Sequence, residues 1–78
     1  MARIQRWSVT QGDVTHRLVY TRPFLSRHVT LQIDGEAFRL PRGARQEPFR
    51  LGEEQAILRI CRNGKAQILT REGVLPED

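Results

Sequence analysis

His16, His28 and Cys61 carry the side chains that most often serve as nucleophile, general base or metal ligand. Their spacing builds none of these sites. A zinc site needs ligands in pairs two to four residues apart, and a chain with a single cysteine and two well-separated histidines offers no such pair. The carboxylates are equally dispersed. Asp34 is committed to a turn, Glu53 and Glu54 follow Gly52, and Glu77 and Asp78 close the chain. No two of them support the split of one raised and one lowered pKa that acid–base work needs. The glycines are scattered over turns instead of gathered into a phosphate-cradling loop ahead of a helix. His16 therefore reads as a satisfied, partly buried side chain and Cys61 as a small apolar filler. No catalytic residue, metal ligand or cofactor is expected, and an enzyme is not.

The basic residues are more suggestive. The chain has twelve arginines and one lysine, Lys65, with a net charge of +4 and a pI near 10.6. Arginine presents a planar, forked set of donors that matches carboxylate and phosphate. With Phe38, Leu40, Phe49, Leu51, Leu58 and Ile60 turned to the core, Arg39, Arg50 and Arg59 point outward, as does Arg17 beside Leu18. Arg42 and Arg45 join them from a long loop. These six are the candidate polyanion-binding face. Small β domains that bind nucleic acid also stack bases on exposed rings. Trp7, Tyr20, Phe38 and Phe49 have inward parity, which leaves Phe24, in a proline-containing loop, as the one exposed aromatic. The plainer alternative is a solvated face on which Arg39 and Arg50 pair with Glu36 and Glu47.

These residues must be positioned by strands. Apolar and polar residues alternate with period two, as on a half-buried sheet, and no ten-residue stretch keeps the 3.6-residue spacing of a helix. Val29-Thr30-Leu31-Gln32-Ile33 is the cleanest strand. Asp34-Gly35 follows it and favours a two-residue hairpin turn, which sets Leu31 opposite Phe38 and Val29 opposite Leu40. Taking Asn63-Gly64 as a second such loop sets Cys61 opposite Ala66, Arg59 opposite Ile68 and Leu58 opposite Leu69. Both faces of this hairpin then carry apolar residues, so Ile57, Cys61, Ala66 and Ile68 mark a strand pair covered on both sides, by the core and by a partner chain. A third hairpin runs from about Ile4 to Val9 and from about Val14 to Tyr20. A Gly12-Asp13 loop pairs Trp7 with Leu18 and Val9 with His16, whereas a Gln11-Gly12 loop shifts the register by one. Residues 21–26 read as a corner, Pro41 to Pro48 as the longest irregular stretch, Phe49-Arg50-Leu51 as a short strand, and Gly52 to Gln55 as a turn or a single helical turn.

The expected fold is all-β, a small antiparallel sandwich or partly open barrel of about seven short strands built from hairpins. With 78 residues, 38% hydrophobic and 28% charged, one domain spanning residues 1–78 is expected, with a core modest enough for dimerisation to help. No apolar run is long enough to span a bilayer, Met1 to Arg6 lacks the apolar stretch of a signal peptide, and one cysteine allows no internal disulfide. A cytoplasmic location is expected.

Trp7-Ser8-Val9, the turn at Gly12, His16-Arg17-Leu18, Leu31-Gln32-Ile33-Asp34-Gly35-Glu36 and Phe49-Arg50-Leu51-Gly52 together resemble a domain of the Fas apoptotic inhibitory molecule family. The resemblance runs from about Trp7 to Leu69. It implies a β-sandwich without catalytic residues and a binding or protective role. The chain departs from the family in having Phe38 where members usually carry a further tryptophan, and no functional residue is carried over.

The leading expectation is a non-enzymatic binding or assembly module acting through a protein partner or as a homo-oligomer, since a small sandwich cannot easily hide its edge strands. The alternative is a small basic domain that binds nucleic acid or another polyanion through the outward arginines. No membrane or metal partner is expected.

Overall fold

The structure is a computed structural model that describes residues 2–24 and 28–78. It is all-β, with eight strands in two antiparallel sheets. The first sheet has the order β1-β2-β3-β4, formed by Arg3–Gln11, Val14–Arg22, Thr30–Ile33 and Glu36–Arg39. The second has the order β5-β6-β7-β8, formed by Gln46–Leu51, Glu54–Ile60, Ala66–Thr70 and Gly73–Val74. Neither sheet closes into a barrel. The corner expected at residues 21–26 is described only as far as Phe24; Leu25 and Ser26 lie outside the described residues.

Two of the three expected hairpins have the expected register. Trp7 pairs with Leu18 and Val9 with His16 across Gly12-Asp13, and Leu31 pairs with Phe38 across Asp34-Gly35. Asp34 and Gly35 both take positive φ, 51° and 87°, as a type I′ turn requires and as an aspartate tolerates. The third hairpin differs by one residue. Leu58 pairs with Ile68 and Ile60 with Ala66, because the loop holds three residues, Arg62, Asn63 and Gly64. Gly64 donates its N–H to Cys61 O at 3.0 Å, and Cys61 donates to Lys65 O at 2.8 Å. The extra residue is accommodated by Gly64 at φ 86°, the left-handed position of a bulge.

That shift changes which residues face the core. Ala66 and Ile68 are buried between the sheets with Leu58, Ala56 and Leu51, against Trp7, Leu18, Tyr20 and Leu31 of the first sheet. Ile57 lies on the opposite, exposed face, and Cys61 sits half-buried at the loop. The four residues expected on a partner-covered hairpin therefore form no common surface, and what covers Ala66 and Ile68 is the chain's own first sheet.

Two side-chain amides on β1 set how the sheets lie on each other. Gln5, 5% exposed, donates from Nε2 to Ala66 O at 3.0 Å and accepts from Ala66 N at 2.8 Å. At the other end of the strand, Gln11 Nε2 donates to Leu51 O at 2.9 Å. β1 thus starts over β7 and finishes over β5, so the sheets cross. The crossing carries β4 past the second sheet, and all four of its residues are exposed. Phe38 has the inward parity expected of it but remains 46% exposed, outside the core cluster.

Replacing Gln5 by leucine removes both partners of the Ala66 peptide. We expect a loss of about 1–3 kcal/mol for each buried group left unpaired, measured by urea unfolding followed through the fluorescence of Trp7. Gln5→Glu keeps the acceptor for Ala66 N and loses the donor to Ala66 O, so it too is expected to destabilise; a Gln5→Leu protein as stable as the parent contradicts this account of the sheet joint.

Candidate functional site

The strand directions sort the connections into two ends. The turns Gly12-Asp13, Asp34-Gly35, Gly52-Glu53 and Arg71-Glu72 lie together at one end, where Gln11 meets Leu51 and Asp34 meets His16 and Arg17. The start of β1, Pro23, Phe24, His28 and Val29 between β2 and β3, the β4–β5 connection and the loop of residues 62–64 lie at the other.

Most of the acidic charge follows the same division. Asp13, Asp34, Glu36, Glu53, Glu54 and Glu72 are in or beside the four turns, and so occupy one end, whereas Glu47 lies near the start of β5 and Glu77, which accepts from Gln5 Nε2 at 2.8 Å, lies near the start of β1. Asp34 is the anchor there. Its Oδ2 meets His16 Nδ1 at 2.6 Å, its Oδ1 accepts from Arg17 N at 2.8 Å, and its own N–H donates to Arg17 O at 2.9 Å. The His16 hydrogen bond, followed by that from the Arg17 backbone, holds the Asp34 carboxyl below the usual carboxylate range.

The opposite end is an arginine cluster. Arg3 and Arg22 are directly paired residues of β1 and β2, and share the inward parity of Gln5, Trp7 and Tyr20. Because the sheets stop here, both open into a cleft of about 650 Å³ that Arg42 and Phe24 also line, with Val29, Leu40 and Ile60 among its apolar residues. Two adjoining hollows, about 240 and 350 Å³, share Ile60 and add Arg45, Arg59 and Arg62. No aspartate or glutamate lines any of the three. Arg22 is oriented from below: its Nε donates to Tyr20 Oη at 2.9 Å, and Tyr20 Oη donates to Gly64 O at 3.2 Å. Among the described residues, no arginine lies within ion-pair distance of a carboxylate; His16 and Asp34 lie within that distance.

The six arginines expected on one face are all exposed but do not share a surface. Arg17 and Arg39 point outward from the first sheet, whereas Arg50 and Arg59 point outward from the second, on the far side of the sandwich. Alternating parity separates inside from outside but does not say which sheet supplies the outside. Arg42, Arg45 and Arg59 belong to the cluster, while Arg17 and Arg50 lie toward the acidic end. The pairing of Arg39 and Arg50 with Glu36 and Glu47 is not made; Arg50 instead donates to Glu53 O at 3.4 Å. Phe24 is exposed as expected, at 76%, and Phe38 is a second exposed ring.

Arg3, Arg22 and Arg62 were not among the expected residues, although the signal for two of them was present. The Gly12-Asp13 register that pairs Trp7 with Leu18 also pairs Arg3 with Arg22, and like charges directly opposite on a sheet are destabilising unless something compensates them. His16 and Cys61 fall at opposite ends of the molecule. Among the described residues no three of His, Cys, Asp and Glu gather in a way that could hold a metal. Compared with known proteins, the chain matches no family model, no curated protein and no solved structure.

Because Asp34 binds its partners as a carboxylate, it contributes stability above the unfolded aspartate value near 3.8, and that contribution is lost as pH falls through its lowered folded value. Asp34→Asn keeps a residue that tolerates the left-handed turn and removes the charge. Thermal unfolding from pH 6 to pH 2 is expected to show a lower melting temperature for the variant at pH 6, with the two proteins converging at the acidic limit. A constant difference over the whole range contradicts the assignment.

Proposed function

We propose that the protein is a non-enzymatic binding module for single-stranded nucleic acid, held at the arginine end. The observation that supports this most is the inward-facing Arg3–Arg22 pair opening into a cleft with Arg42 and no carboxylate. Two guanidiniums held opposite each other repel, and a phosphate between them turns the repulsion into two charge-assisted forks. The line of cations continues through Arg45, Arg59 and Arg62, which suits a chain of phosphates better than a single ion. Phe24, exposed at the lip of the cleft, offers a face on which a base stacks. The acidic turns at the far end repel the same ligand and so orient its approach.

The reading predicts how affinity for a labelled oligodeoxythymidylate responds to salt. Each phosphate contact to a single strand contributes about 0.7 to the slope of log K against log salt. Replacing Arg3, Arg42 and Arg62 together by alanine is expected to flatten the slope by about 2. The control triple of Arg17, Arg50 and Arg71 to alanine removes the same charge from the other end and should leave the slope nearly unchanged. Phe24→Ala should weaken binding about tenfold or more at every salt concentration, without altering the slope. Absence of binding at low salt, or equal effects of the two triples, refutes the proposal.

A further inference from the structure

The four sheet edges are not equivalent. On β1, Arg6 O already accepts from Asp78 N at 2.8 Å, and Asp78 Oδ2 accepts from Ser8 Oγ at 2.8 Å, so the C-terminal tail occupies the middle of that edge. β8 is two residues long and is followed closely by Pro76. On β5 the bond from Ile60 N to Arg45 O sets the alternation of the ladder, which turns the backbone groups of Gln46, Pro48 and Arg50 outward. Pro48 has no N–H, so that edge cannot continue a ladder. β4 has none of these guards. Leu40 N donates to Val29 O at 2.8 Å, so Phe38 bonds inward to Leu31, and the N–H and C=O groups of Ala37 and Arg39 point away from the sheet.

We propose that β4 pairs with β4 of a second copy, antiparallel and centred on Phe38. The occupant follows from the symmetry of the edge. The two outward residues, Ala37 and Arg39, flank Phe38, so a two-fold axis through Phe38 sets each Ala37 against the partner's Arg39 and makes four backbone hydrogen bonds from one repeated pattern. In that register the two Phe38 rings meet at a non-hydrogen-bonded pair, where facing side chains come closest. An exposed aromatic on the strand that overhangs the second sheet is thereby covered, and the two first sheets join into one. The interface is small, so the dimer is weak and forms with rising concentration. It stands independently of the nucleic-acid reading, because β4 does not line the arginine cleft.

Sedimentation velocity over a range up to about 1 mM is expected to show reversible dimerisation. Phe38→Ala should raise the dissociation constant about tenfold, as loss of a packed aromatic pair does. Ala37→Pro removes an N–H that bonds nothing within the chain, so the fold is kept, as circular dichroism checks, and the dimer should disappear. In a Cys61→Ser background, Phe38→Cys should cross-link to its own copy under mild oxidation, because the two positions face each other across the axis. A protein that stays monomeric throughout overturns the proposal. So does a dimer that survives Ala37→Pro, including one that dissolves in high salt and is therefore a contact between the acidic and arginine ends.

Discussion

Of the side-chain bonds that tie the two sheets together, the most buried is the Gln5 amide. β8 is too short to reach Ala66, so the Ala66 peptide would be left without partners in the interior, at a cost no small domain tolerates easily. Gln5 supplies both missing bonds and stands in for the absent strand. Much of the geometry follows from where this amide holds β1. With Gln5 fixed on β7 and Gln11 on β5, the strands of one sheet cross those of the other, and β4 projects beyond the packed region. Arg3 lies two residues before Gln5, so it inherits the inward parity and opens into the end of the sandwich instead of pointing to solvent from its side.

Separation of charge is the second consequence of the topology. Every hairpin of consecutive strands that turns at one end uses residues suited to tight turns, and in this chain each of those turns carries an acid. Arg3 at the start of β1, Arg22 and Arg59 at the ends of β2 and β6, and the arginines of the β4–β5 connection and of the loop of residues 62–64 gather at the other end. Local turn chemistry and the up-and-down course of the strands thus produce a molecule with two unlike ends, although its net charge is only +4. No aspartate or glutamate lines the arginine cleft or its two adjoining hollows, which makes them a receptive surface for an anion.

Much of the fold was legible in the sequence because hairpins are local. Asp34-Gly35 and the alternation on both of its flanks determine a register, and so does Gly12-Asp13 once Trp7 is set against Leu18. Asn63-Gly64 misled because the same dipeptide serves a two-residue turn and a three-residue loop closed by a bulge; Arg62 joined the loop and the facing pairs moved by one. Pro48 made the start of β5 look irregular, yet an outward position on an edge strand is where proline is tolerated. The brief pairing of β8 gave too short a pattern to read, so about seven strands became eight. The arginine cluster was less legible. Its members come from β1, β2, β6 and two connections, and only the crossing of the sheets, set by long-range bonds from Gln5 and Gln11, decides which strand ends meet. The buried glutamine itself was visible as a polar residue on the inward parity of Trp7, an exception that marks a place where two elements are tied together.

The arginine end as the ligand-bearing end is tested most directly by following backbone amide resonances as a short oligodeoxythymidylate is added at low salt. The shifts should fall on Arg3, Arg22, Phe24, Arg42 to Arg45 and Ile60 to Gly64, with little change at Asp13, Asp34, Glu53 and Glu72. Shifts spread evenly over both ends, or centred on the outward faces of the two sheets, would contradict the account.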